Sequence, residues 1–95
     1  MNKQFSLGKI VITFGLNERM TSNPEFSMFV FDSLKRYSEL DWGDISEDDA
    51  LANDHAMERG NEERVFAVYK KDDDKIFIIT EADRSNTTIM LSSEY

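Results

Sequence analysis

Apolar and polar positions alternate in distinct blocks along the chain, and each block predicts an element. Lys9-Ile10-Val11-Ile12-Thr13-Phe14 is rich in β-branched and aromatic side chains and reads as a strand ended by Gly15. Ile10, Ile12 and Phe14 share one face, Val11 and Thr13 the other. Apolar residues on both faces predict a central strand. Between Gly15 and Ser22 the pattern predicts no element. At Ser22-Asn23-Pro24-Glu25 a helix begins: Asn23 suits the N-cap, Pro24 the first helical position, and Glu25 the positive end of the dipole. At 100° per residue Phe26, Phe29, Val30, Ser33, Leu34, Tyr37 and Leu40 fall on one face, so the helix runs to about Tyr37 or Leu40. Met28 and Phe31 fall well off that face.

Asp41-Trp42-Gly43-Asp44 breaks this helix with a turn. Ser46 then serves as N-cap of a second helix, with Asp49 three residues on in a capping-box arrangement and Ile45 and Ala50 as a staple around it. The helix continues through Met57 and stops at Gly60, with thin apolar content. Arg64 to Lys71 alternates and reads as a strand. Asp72-Asp73-Asp74 is a polar turn, and Lys75 to Thr80 a second strand, so the pair forms a β-hairpin. Glu81 to Asn86 is a loop, and Thr87 to Leu91 a last strand. The order β-α-α-β-β-β predicts an α+β single domain over residues 1–95: a mostly antiparallel four-stranded sheet with two helices packed on one face.

Composition narrows the function. Ninety-five residues allow one modest core, burying roughly 60–65% of the unfolded surface. Seven Phe, three Tyr and one Trp exclude a disordered acidic tail. Without Cys there is no disulfide framework and no thiolate metal site. No apolar run approaches the roughly 20 residues that span a bilayer, and Met1 to Gly8 carries no signal-peptide apolar region. A cytoplasmic protein without membrane contact is therefore expected.

The net charge is −8, and it is unevenly placed. Ten acids lie between Glu39 and Glu63 against Arg59 alone, which puts this segment at −9 and leaves the rest of the chain at +1. So acidic a chain repels phosphate backbones, and direct nucleic-acid binding is not expected. Such a run is either a solvated face or a surface for a basic partner: like charges crowded on one helix destabilise it, a cost that selection retains where such a partner meets them. Spaced carboxylates on a helix also imitate phosphates. Neutralising Asp48, Asp49 and Asp54 together should then slow association, and relief of repulsion should favour the fold.

Catalytic chemistry finds little support. His55 is the only imidazole, and no nucleophile elbow accompanies it. Three consecutive Asp at 72–74 lack the ligand spacing of a calcium loop. Asp41, Asp44, Asp48 and Asp49 are better spaced for a weak divalent ion, but no metal, cofactor or catalytic residue is assigned. Thr80 to Thr88 is a dense polar run between apolar strands, a place where functional loops occur, or else a connection held by local bonds of Asp83 and Arg84. Trp42 is either an interface anchor or a core residue. Met28 and Phe31 mark a contact patch unless another element covers them.

Three stretches together carry a resemblance: Leu7-Gly8-Lys9-Ile10-Val11-Ile12-Thr13, then Asp41-Trp42-Gly43-Asp44, then Ile78 to Ile89 with Glu94-Tyr95. On these the chain resembles small acidic "plasmid-related" proteins of plasmids, conjugative elements and prophages of Gram-positive bacteria. Where that family often has Trp and Leu in its last strands, Phe77 and Met90 stand here. The resemblance implies a mobile-element origin and no reaction. In size, charge and origin the chain is similar to anti-defence proteins, including anti-CRISPR inhibitors of type II effector nucleases, a similarity of class by analogy. The expected function is that of a non-enzymatic inhibitor that binds stoichiometrically in a basic guide-RNA or DNA channel of a CRISPR effector nuclease. The alternative is a plasmid or phage accessory protein that binds another partner or forms a homodimer. The candidate partner-binding residues are Phe31, Asp41, Trp42, Asp44, Glu47, Asp48, Asp49, Asp54, Glu58, Glu62, Asp83 and Arg84.

Overall fold

The computed structural model describes residues 6–58 and 63–95. Strand β1 (Lys9–Ile12) leads into helix α1 (Phe14–Ser22), α2 (Pro24–Ser38) and α3 (Glu47–Glu58). Strands β2 (Val65–Lys71), β3 (Asp74–Thr80) and β4 (Asn86–Leu91) follow, and a 3₁₀ turn at Ser92–Glu94 ends the described chain. The sheet order is β1-β4-β3-β2, with β1 parallel to β4 and the other pairs antiparallel. This is the expected α+β fold, with one helix more than the pattern predicted.

Alternation along the strands sorts the sheet into two faces. Val65, Ala67, Tyr69, Ile76, Ile78 and Ile89 pack against Leu16 of α1, Phe26, Phe29, Val30 and Tyr37 of α2, and Ala56 of α3. All three helices therefore share one core with one face of the sheet. Each fully buried Leu, Ile or Val there contributes about 1.5–3 kcal/mol relative to exposure. Phe66, Val68, Phe77, Ile79 and Met90 lie on the other face, where Phe66 and Phe77 meet edge-on at 5.2 Å and Tyr95 caps Phe77 at 5.4 Å.

Helix α2 follows the expected pattern closely. Asn23 Oδ1 accepts the Phe26 N–H at 3.1 Å, Pro24 opens the first turn, and Phe26, Phe29, Val30, Ser33 and Tyr37 are buried. It ends in a Schellman motif. The Asp41 N–H bonds Arg36 O and the Leu40 N–H bonds Tyr37 O, with Leu40 itself left-handed at φ 68°. Ser46 caps α3, its Oγ accepting the Asp49 N–H at 3.1 Å, and Ile45 and Ala50 pack against the core. Gly60, the expected stop of α3, lies outside the described residues.

Two expectations are corrected. β1 is an edge strand and stops at Ile12; the apolar residues on both of its faces are exposed rather than sandwiched. What continues from Phe14 is helix α1. Its first turn is capped from the far end of the chain: Glu94 accepts Thr13 Oγ1–H at 2.6 Å and the Gly15 N–H at 3.1 Å. A carboxylate at a helix N-terminus satisfies orphan N–H groups and favours the dipole. No local residue signals that cap, and Gly15 reads as a breaker. A Cβ on Gly15 would meet Glu94 Oε2 at 2.6 Å, so glycine here leaves room for the cap.

Candidate functional site

The acidic middle of the chain is fastened to the outer edge of β2. Asp41-Trp42-Gly43-Asp44 runs alongside that strand: the Asp44 N–H bonds Val68 O at 2.6 Å, and the Val68 N–H reaches Trp42 O at 3.4 Å. Asp44 Oδ2 takes the Lys70 N–H at 3.1 Å. One position up, the Asn53 amide of α3 brackets Phe66, donating to its carbonyl at 2.7 Å and accepting its N–H at 3.2 Å. Thus the N–H and C=O of Phe66 and Val68 and the N–H of Lys70, which turn away from β3, find partners within the chain. An edge otherwise open to strand addition is closed. Gly43, at φ 74°, is required: a Cβ there would collide with the Val68 carbonyl.

The clasp is tied to the core as well. Tyr69 Oη–H donates to Asp41 O at 2.6 Å, and Trp42 meets Tyr37 edge-on at 5.6 Å. Arg36 grips Asp41 with two bonds, at 2.8 and 3.1 Å, and these bonds hold the Asp41 carboxyl below its usual range and raise the Arg36 guanidinium. Trp42 is 6% exposed, and its Nε1–H donates to Asp54 Oδ1 at 3.0 Å. Of the candidate residues, Asp41, Trp42, Asp44 and Asp54 are therefore engaged in holding the acidic segment in place.

The remaining acids face outward. Asn53 and Ala56 are the buried side of α3, and at 100° per residue Glu47, Asp48, Leu51 and Glu58 fall in an arc on the opposite side. All four are exposed, as is Asp49 in the first turn. Among the described residues, the ion pairs within 4 Å are Arg19–Asp74 and Arg36–Asp41, and His55 Nδ1 lies 3.6 Å from Glu63 Oε2, so the outward acids of α3 meet no counter-ion among them. Leu51, which the sequence marks only as part of a thin apolar content, sits in the middle of this acidic arc. Glu62 lies outside the described residues. Among the described residues, no group of three or more His, Asp or Glu gathers closely enough to hold a metal ion.

The Thr80–Thr88 run is built into the scaffold. Arg84 is 7% exposed and left-handed at φ 61°, and its Nη1 donates to Glu63 O at 2.7 Å. Asp83 accepts the Ser85 N–H at 2.9 Å, and bonding from the Ser85 hydroxyl first, then from this N–H, holds its carboxyl below the usual range. A chain of hydroxyls crosses the sheet. Thr87 Oγ1–H donates to Leu7 O, and Thr80 Oγ1 lies 2.7 Å from both Thr87 Oγ1 and Tyr37 Oη. Each hydroxyl has one proton, so Thr80 donates to Thr87 and Tyr37 to Thr80. Next to it, the Lys9 N–H bonds Ser85 O, and a Cβ on Gly8 would overlap the carbonyls of Arg84 and Ser85. The first and third stretches of the resemblance thus meet here, while the second forms the β2 clasp.

Phe31 and Met28 lie on the exposed side of α2. Among the described residues no helix is long and apolar enough to cross a membrane. Sequence reasoning missed Asn53, Leu51 and Glu94: an Asn in a helix and an acid near the C-terminus carry no local signal of the partners they meet. Comparison with protein-family models, curated proteins and solved structures finds no match to this chain.

Proposed function

We propose that the protein is a stoichiometric binding module of a mobile element. In this reading the outward face of α3 enters a basic nucleic-acid channel of a host defence nuclease, in the first place a type II CRISPR effector. One observation carries the reading: Glu47, Asp48 and Glu58 project from a helix whose other side is pinned to the sheet, and they have no internal counter-ion among the described residues. Anions held in place and left unpaired form a preorganised surface for cations. Leu51 gives that surface an apolar centre, as helix-in-groove recognition requires.

The test is co-purification with the effector nuclease, followed by guide-loading and DNA-cleavage assays. Inhibition should saturate near one protein per nuclease. Association should slow steeply between about 50 and 200 mM salt, as the Debye length falls from roughly 14 to 7 Å. Glu47→Gln, Asp48→Asn, Glu58→Gln together should slow association, and Leu51→Ala should speed dissociation. Absence of binding at micromolar protein in low salt overturns the nuclease assignment. Unchanged potency of the triple variant overturns the role of α3.

A further inference from the structure

The two edges of the sheet are treated differently, and the contrast points to a second interaction surface. Along β2 every outward backbone group noted above is bonded within the chain. β1 is the other edge. Its Lys9 N–H bonds Ser85 O at 3.1 Å and the Thr13 N–H bonds Ile89 O at 3.2 Å, so the odd-numbered residues face β4. Alternation turns the N–H and C=O groups of Ile10 and Ile12 outward. Among the described residues they have no hydrogen-bond partner. The side chains beside them are exposed too: Ile10 by 40%, Val11 and Ile12 by 37%, and Phe14 by 77%. Four of the eight large apolar residues exposed on the described chain thus fall between positions 10 and 14. Such an edge carries no proline and a single charge, Lys9, and lacks the usual guards against strand addition.

We propose that β1 pairs antiparallel with β1 of a second copy, joining two sheets into one about a two-fold axis. In an antiparallel pair the outward residues must bond one another. The register that uses both sets Ile10 opposite Ile12 of the second copy, and Val11 opposite Val11 on the axis. Lys9 then faces Thr13, so no like charges meet. Charge also selects this edge for a second copy. The described acids between Glu39 and Glu58 lie by β2, at the far side of the sheet, and the chain outside positions 39–63 nets +1. Strands are about 4.8 Å apart, so seven spacings would separate the two β2 edges by about 34 Å. That is about four Debye lengths at physiological salt, where the length is about 8 Å. Joined at β1, two chains of −8 keep their acidic arms apart. The inference does not depend on what α3 binds.

Light scattering and engineered cysteines test it. At about 100 μM protein the mass should be about 22 kDa, twice the 11.0 kDa of the chain. Ile12→Pro removes an outward N–H without touching a bond to β4; it should return the mass to 11.0 kDa with an unchanged circular dichroism spectrum. Because the chain has no Cys, single substitutions report cleanly. Val11→Cys places two sulfurs in a non-hydrogen-bonded pair, with Cβ atoms about 4.5–5.5 Å apart, and should give a disulfide-linked dimer under mild oxidation. Phe31→Cys and Leu51→Cys should not. A monomer at this concentration overturns the proposal. So does a dimer that survives Ile12→Pro but is lost in Phe31→Asp, or one that cross-links through position 31 and not 11.

Discussion

At the scale of single residues, the fold depends on polar groups that stand in for backbone. Asn53 is the clearest case: its amide presents a donor and an acceptor to Phe66 at the spacing of a neighbouring strand. Asn53 is also 4% exposed, so water has little access to replace it. Asn53→Ala should lower stability by about 1–3 kcal/mol, because it leaves an N–H and a C=O unsatisfied near the core. Urea denaturation should show a lower midpoint with an unchanged slope. Asn53→Asp keeps the acceptor but sets a carboxylate oxygen against the Phe66 carbonyl, and should be no better tolerated. In the sequence this residue is an ordinary polar position in a polar helix. Only the approach of β2, encoded more than ten residues later, gives it a role.

At the scale of elements, charge and helix direction act together. Glu47, Asp48 and Asp49 occupy the first turn of α3, where the dipole favours anions, whereas Glu58 sits at the last turn, where it does not. Asp48→Asn should therefore cost about 0.3–1 kcal/mol and Glu58→Gln gain a similar amount, read as opposite shifts of the thermal midpoint. Neutralising Asp48, Asp49 and Asp54 together favours the fold only where Asn at position 54 keeps its Oδ1 toward the Trp42 indole N–H that Asp54 accepts. Elements with local signals were legible: the Asn23-Pro24 cap and the 3.6-residue spacing define α2, and alternation defines β2 and β3. α1 was not, because its cap comes from Glu94 across the chain. The position of β1 was not legible either. Apolar residues on both faces fit a central strand and an unfinished edge equally, and only pairing tells them apart. The acidic segment was legible as charge. Its division into Asp41, Asp44 and Asp54 that hold and Glu47, Asp48 and Glu58 that face outward needed the fold.

At the scale of the whole molecule, stability against pH should form a plateau with two different walls. Asp41, Asp83 and Glu94 are all held below their usual range, chiefly by hydrogen bonds from Arg36, Ser85 and Thr13 respectively. A depressed folded pKa contributes stability above the unfolded value, and that stability is lost as pH falls through the folded one. The acid wall thus begins below about pH 4, the usual carboxylate range. Between pH 7 and 5 the net charge of −8 begins to shrink, which relieves repulsion and keeps this stretch level or slightly rising. On the alkaline side, burial raises the Tyr37 and Tyr69 phenols well above their usual value. Raised pKa values contribute stability below the unfolded value, lost as pH climbs past about 10. Thermal midpoints measured from pH 2 to 11 should show both walls. Glu94→Gln should lower the plateau and make the acid wall shallower while leaving the alkaline one in place. Tyr69→Phe should also lower the plateau, through loss of the bond to Asp41 O, but should make the alkaline wall shallower and leave the acid one in place, since it removes a titrating phenol. A single variant that flattened both walls would mean that global charge, rather than these named groups, sets the pH limits of the fold.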